Sequence, residues 1–115
     1  MDIDLKDLYL KQAELDKVIA DNHHIDYPST HKRRTLALLV ELGEFANTTR
    51  CFKFWSNKGP EAKDIVLDEY ADGLHFILSL GIELGVKQTS YHIEEDKKDL
   101  TDTILDTYQK VTRLI

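Results

Sequence analysis

Cysteine, proline, long apolar runs and excess positive charge are all scarce in this chain, and each scarcity excludes something. A single cysteine, Cys51, cannot form an internal disulfide, so packing rather than cross-linking must hold the fold. The longest uninterrupted apolar run, Leu36 to Val40, is far short of the roughly 20 residues needed to span a bilayer. The opening residues Met1-Asp2-Ile3-Asp4 are acidic, where a secretory signal is basic and then apolar. These features lead us to expect a cytoplasmic protein with no membrane partner. Lys and Arg number 15 against 21 Asp and Glu, a net charge of −6. That balance argues against a nucleic-acid partner, because such binding relies on clustered basic residues neutralising phosphates. It does not exclude a polyphosphate substrate, since a divalent cation can bridge two acidic partners.

What is present is an ordinary globular balance, 42% hydrophobic and 31% charged, in 115 residues, enough for one domain covering residues 1–115. The two prolines, Pro28 and Pro60, fall in polar stretches between segments of helical periodicity. Four helices follow. The first spans about Leu5 to Ala20, with Asp4 as N-cap and Leu5, Leu8, Gln12, Leu15 and Ile19 on one face. The second spans about His31 to Phe52, with a core stripe of Leu38, Leu42, Phe45, Thr49 and Phe52. The third spans about Glu61 to Leu84, with Pro60 in its first turn and Gly85 as a left-handed cap. The fourth runs from about Glu94 to the end, with Leu100, Ile104, Thr107, Val111 and Leu114 inward. Loops are expected over Asn22–Thr30, which holds the unpaired His23-His24, and over Ser56–Pro60. The stretch Gln88–Ile93 is the one strand-like segment and is too short to build a sheet. The expected fold is all-α, an antiparallel four-helix bundle.

Acidic residues interrupt the two central apolar rows. Glu41 and Glu44 are bordered by Leu38, Leu42 and Phe45; Glu69 and Asp72 lie in the row Ile65, Phe76, Ser79. Each pair is spaced i, i+3, which puts both side chains on one helix face. Asp64 and Asp68 fall on another row and read as solvent-facing. Burying an unpaired carboxylate costs several kcal/mol, so converging acids need a cation. No basic residue stands at matching height, which leaves a hard divalent ion. An all-oxygen set suits Mg²⁺, with Mn²⁺ as the alternative.

Beyond these four acids, Leu38-Leu39-Val40-Glu41-Leu42-Gly43-Glu44-Phe45-Ala46-Asn47, Arg50-Cys51-Phe52-Lys53-Phe54-Trp55-Ser56 and Glu69-Tyr70-Ala71-Asp72-Gly73-Leu74-His75-Phe76-Ile77-Leu78-Ser79-Leu80-Gly81 resemble the dimeric, all-α dUTPases. Gln12-Ala13-Glu14-Leu15-Asp16 adds a fourth match. That family belongs to the MazG-like all-α nucleoside triphosphate pyrophosphatases, and the resemblance is to its branch from Gram-positive bacteria and their phages. It covers about residues 5 to 90 well.

The resemblance implies that Glu41, Glu44, Glu69 and Asp72 hold Mg²⁺ on a nucleotide and that Glu41 also orients or deprotonates the attacking water. It implies hydrolysis of dUTP to dUMP and pyrophosphate, with MazG-like action on other nucleotides as the alternative. Gln12 and Asp16 would read the uracil edge, and Trp55 would pack along the base. Phe76 would lie beneath the deoxyribose, Lys53 would contact phosphate, and His75 would stand beside the acidic row as part of the substrate site. From the residues alone, Gln12 could equally be a satisfied core amide, and Phe76 and Trp55 plain core. The family's C-terminal Lys/Asn/Arg-rich motif has no counterpart before Arg113-Leu114-Ile115. A helical module without turnover is therefore a third reading, and the apolar end of the last helix is expected to be covered by a second copy in a homodimer or higher homo-oligomer.

Overall fold

Two long helices carry the chain's acidic rows, and the computed structural model, which describes residues 1–115, packs them against each other. Helix α1 spans Lys6–His23, α2 His31–Thr49, α3 Lys63–Glu83 and α4 Leu100–Thr112. A short 3₁₀ turn, Tyr27–Thr30, leads into α2. The fold is all-α apart from a two-stranded ribbon. Leu38, Leu80 and Val111 form the centre of the core, joining α2, α3 and α4, with Leu39, Leu42, Phe76 and Leu114 packed around them.

Strand β1 (Asp2–Asp4) pairs antiparallel with β2 (Ser90–His92), with Ile3 opposite Tyr91. This corrects the expectation that no strand forms. The segment Gln88–Ile93 lacks a partner nearby in sequence, but the chain's first residues supply one, and Leu5 N–H continues the pairing by donating to the Thr89 carbonyl at 2.8 Å.

Five helix ends also differ from expectation. Helix α1 runs on to His23, where His24 adopts a left-handed conformation (φ 52) and donates to the last carbonyls. At its start Asp4 accepts from Lys6 N–H at 2.9 Å, so it caps the entry although the helix begins one residue later than a direct N-cap would give. Arg50 (φ 56) closes α2 in the same left-handed way as His24 closes α1, so Phe52 leaves the core stripe and becomes exposed. Pro60 lies ahead of α3 rather than in its first turn; Glu61 N–H donates instead to the Thr48 carbonyl at 2.9 Å and α3 starts at Lys63. Helix α4 starts at Leu100, not Glu94. The run Glu94-Glu95-Asp96-Lys97-Lys98 has no apolar face to bury, and Asp99 supplies the cap by accepting from Asp102 N–H at 2.8 Å.

Gly85 behaves as expected. At φ 74 it sits just beyond α3, where Val86 N–H donates to the Gly81 carbonyl and Gly85 N–H to that of Ile82, a Schellman closure.

Candidate metal and nucleotide site

Glu41 comes from the middle of α2, while Glu69 and Asp72 come from the first half of α3. The helices meet closely here: Gly73 is buried, and a Cβ on it would lie 3.9 Å from that of Glu41. Carboxylate oxygens of Glu41, Glu69 and Asp72 lie within 4.8 Å of one another, near the roughly 4 Å that separates opposite ligands of an octahedral Mg²⁺. Glu44, one turn along α2, is exposed beside them. Asp64 and Asp68 are exposed, as their row predicts.

The electrostatics of this cluster are unbalanced. Burial, then the charges of Glu44 and Asp72, push the Glu41 carboxyl up to about 7. Burial, then contact with the Glu44 carboxylate, raises Glu69 as well. The neighbours that perturb the two groups are all acids; no lysine or arginine is among them. Glu41 Oε2 and Glu69 Oε2 are buried with no hydrogen-bond partner. A buried polar atom without a partner is rare in a native fold and marks a group whose partner is something other than protein. A divalent cation fits these residues on charge, donor type and spacing.

Gln12, expected on the apolar face of α1, and Asp16, outside that face, are the helix's two buried residues, while Leu8 and Leu15 of the expected face are exposed. Gln12 Nε2 donates to Asp16 Oδ1 at 2.9 Å, and Gln12 Oε1 lies 2.7 Å from His75 Nδ1. Ser79 Oγ donates to Asp16 Oδ2 at 2.9 Å. Thus three of the sequence-derived site residues, Gln12, Asp16 and His75, are joined directly, and His75 lies one turn beyond Asp72 on α3. Phe76 is half-buried against the core. Trp55 and Lys53 belong to a separate aromatic turn after α2. Trp55 is 65% exposed, 6.1 Å from Phe52 and 5.1 Å from Phe54 between ring centroids, and Lys53 Nζ lies 5.9 Å from the Phe52 ring.

The dUTPase family model matches residues 4–115, nearly the whole chain. This chain belongs to the all-α dUTPase family. No curated protein and no solved structure matches it. Members of this family are nucleotide hydrolases, and of the four acids in the dUTPase-like motifs α2 and α3 bring three together, Glu41, Glu69 and Asp72.

Sequence reasoning missed a second polar cluster in this dUTPase-family chain. Arg34, buried in α2, donates to Ser79 Oγ at 3.1 Å and to the Tyr27 carbonyl at 3.1 Å, pairs with Glu83, and stacks 4.6 Å from the Tyr27 ring centre. His31 bridges Glu83 and the Leu114 carbonyl, its Nε2 lying 2.8 Å from that oxygen. A signal was available. Arg34 lies one turn before Leu38 on the core stripe, and Glu83 one turn after Ser79 on the facing row, so opposite charges occupy the same end of both stripes. Arg34 stands seven residues, roughly 10 Å along the helix, from Glu41 and does not neutralise it.

Proposed function

We propose that this chain is a Mg²⁺-dependent dUTP diphosphatase releasing dUMP and pyrophosphate. The observation that carries this reading is the pair of buried, partnerless oxygens on Glu41 and Glu69 facing a third acid, in a member of the dUTPase family. Glu41, Glu69 and Asp72, with Glu44 at the rim, would hold the cation. Bound there, it would offset the charge of the acids and of the polyphosphate and stabilise developing charge on the phosphoryl oxygens.

The chain's own residues do the rest. Glu41, reaching into the cluster from the middle of α2, takes the proton of the attacking water as general base. One P–O bond of the α,β-anhydride is exchanged for a bond to the water oxygen, and pyrophosphate leaves. His75, backed by Gln12 and Asp16, contributes to base recognition. Phe76 supports the sugar, Trp55 covers the base, and Lys53 contacts phosphate. The working unit is a homodimer: twenty large apolar side chains are exposed on this chain, among them Leu8, Leu15 and Val18 on α1, more than scattered surface positions account for.

Pyrophosphate release from a nucleotide panel with Mg²⁺ tests the reading. Selective dUTP turnover, lost in Glu41→Gln, is the expected result. Broad turnover would instead favour a MazG-like specificity, and no turnover of any nucleotide would sink both enzymatic readings.

A further inference from the structure

A buried chain of hydrogen bonds runs behind the acidic cluster, and it has a direction. It begins at Arg34, whose guanidinium can only donate. Arg34 Nη1 donates to Ser79 Oγ, so the single hydroxyl proton of Ser79 goes to Asp16 Oδ2. An ionised carboxylate can only accept, so Asp16 Oδ1 faces the nitrogen of the Gln12 amide, Nε2. That turns the amide oxygen of Gln12 towards His75 Nδ1. A carbonyl oxygen has no proton to give, so Nδ1 carries the proton, and in the neutral ring Nε2 is the acceptor. An amide orientation and a histidine tautomer are ordinarily open choices. Here a permanent cation, three side chains away, sets both. Arg34, Ser79, Asp16 and Gln12 are all at most 8% exposed. Reversing one link would set donor against donor or acceptor against acceptor among buried groups, and neither Arg34 nor the Asp16 carboxylate can exchange its role, so the chain keeps one direction.

His75 itself is exposed, one turn beyond Asp72. We propose that Arg34, Ser79 and Asp16 are positioning residues that hold His75 as the Nδ1–H tautomer, so that its Nε2 accepts from the ring N–H of a uracil-type base. A cytosine-type base offers a lone pair at that ring position and is turned away, because two acceptors would meet. This rests on the nucleotide reading given above. It adds to that reading the source of the selectivity, which lies in residues that do not touch the base.

Nitrogen-15 NMR of the full chain with the His75 ring neutral reads the tautomer directly, with no substitution needed. The proton is expected on Nδ1. The near-isosteric Asp16→Asn is the sharper test. Arg34 still makes Ser79 a donor, so the new amide's oxygen takes the Ser79 side and its nitrogen faces Gln12. Gln12 then turns over, and the His75 proton moves to Nε2. The ratio of kcat/KM for dUTP over dCTP falls about tenfold or more, as expected when a polar edge is mismatched. Adding Ser79→Ala to Asp16→Asn removes the constraint, and the inversion is lost. A wild-type proton on Nε2 in protein that turns over dUTP overturns the polarity alone. So does an unchanged tautomer in Asp16→Asn that melts like the wild type. Wild-type protein that turns over no nucleotide overturns the nucleotide reading and, with it, the base selection.

Discussion

Glu41 shows how one residue can hold stability and function in opposition. Its carboxyl is raised from 4.5 to about 7 by burial and by the charges of Glu44 and Asp72. The folded chain therefore holds this proton more tightly than the unfolded chain does. Without a divalent ion, the stability Glu41 contributes is fully present below pH 4.5 and is lost as pH rises through about 7. Metal-free protein should thus lose melting temperature across that window, whereas Glu41→Gln should lose less and melt higher than the wild type at about pH 8. Mg²⁺ should raise the wild-type melting temperature at the same pH, since it binds only the folded site, and raise that of the glutamine variant less. Thermal melts of both proteins with and without Mg²⁺ decide the point; identical pH profiles would remove the basis for a strained acid. The same substitution should lower turnover by about 100-fold or more, in the range seen for loss of a general base.

At the scale of elements, the helices are set by their ends and by one shared contact. Helix α4 depends on Asp99, which accepts from Asp102 N–H. Asp99→Ala should cost about 1 kcal/mol in urea unfolding, and a value near zero would mean that the charged run before it can cap the helix as well. Leu38 lies where α2 meets α3 and α4, 1% exposed beside Leu80 and Val111. Leu38→Ala should cost about 2–5 kcal/mol, the removed contacts plus the cavity left behind. Because Leu38 is three residues from Glu41 on the same face, turnover in that variant should also fall, through loss of helix register rather than of chemistry.

The whole molecule is more open than its size requires. A chain of 13.3 kDa folded into a compact monomer exposes about 6,400 Å²; this one exposes 8500 Å². Its radius of gyration is 15.6 Å, against about 13.4 Å for a compact domain of this length. Helix α1 turns its buried polar pair towards α3 and leaves Leu8, Leu15 and Val18 largely uncovered. A second copy that covers such faces is the arrangement we propose. Sedimentation velocity at micromolar concentration should give a mass about twice 13.3 kDa; a monomer across the accessible concentrations would end the dimer reading.

The sequence by itself determined that four helices form and that Glu41 with Glu44, and Glu69 with Asp72, each share one helix face, because helical periodicity and i, i+3 spacing are local properties of a chain. It also identified Gly85 as a cap, since the left-handed conformation required there favours glycine. The tertiary structure decided what depends on residues far apart in sequence. It paired Asp2–Asp4 with Ser90–His92, a match no window of neighbouring residues reveals. It ended α2 at Thr49, where Arg50 turns left-handed and its guanidinium donates to Ser56 Oγ, so the periodic pattern that continues to Phe52 is cut short. It left Glu44 at the rim while drawing Glu41, Glu69 and Asp72 together. It also placed Arg34 behind Asp16 through Ser79, three helices contributing one polar chain. Periodicity says which face of a helix is inward; only the packing of that face against another says what each side chain meets there.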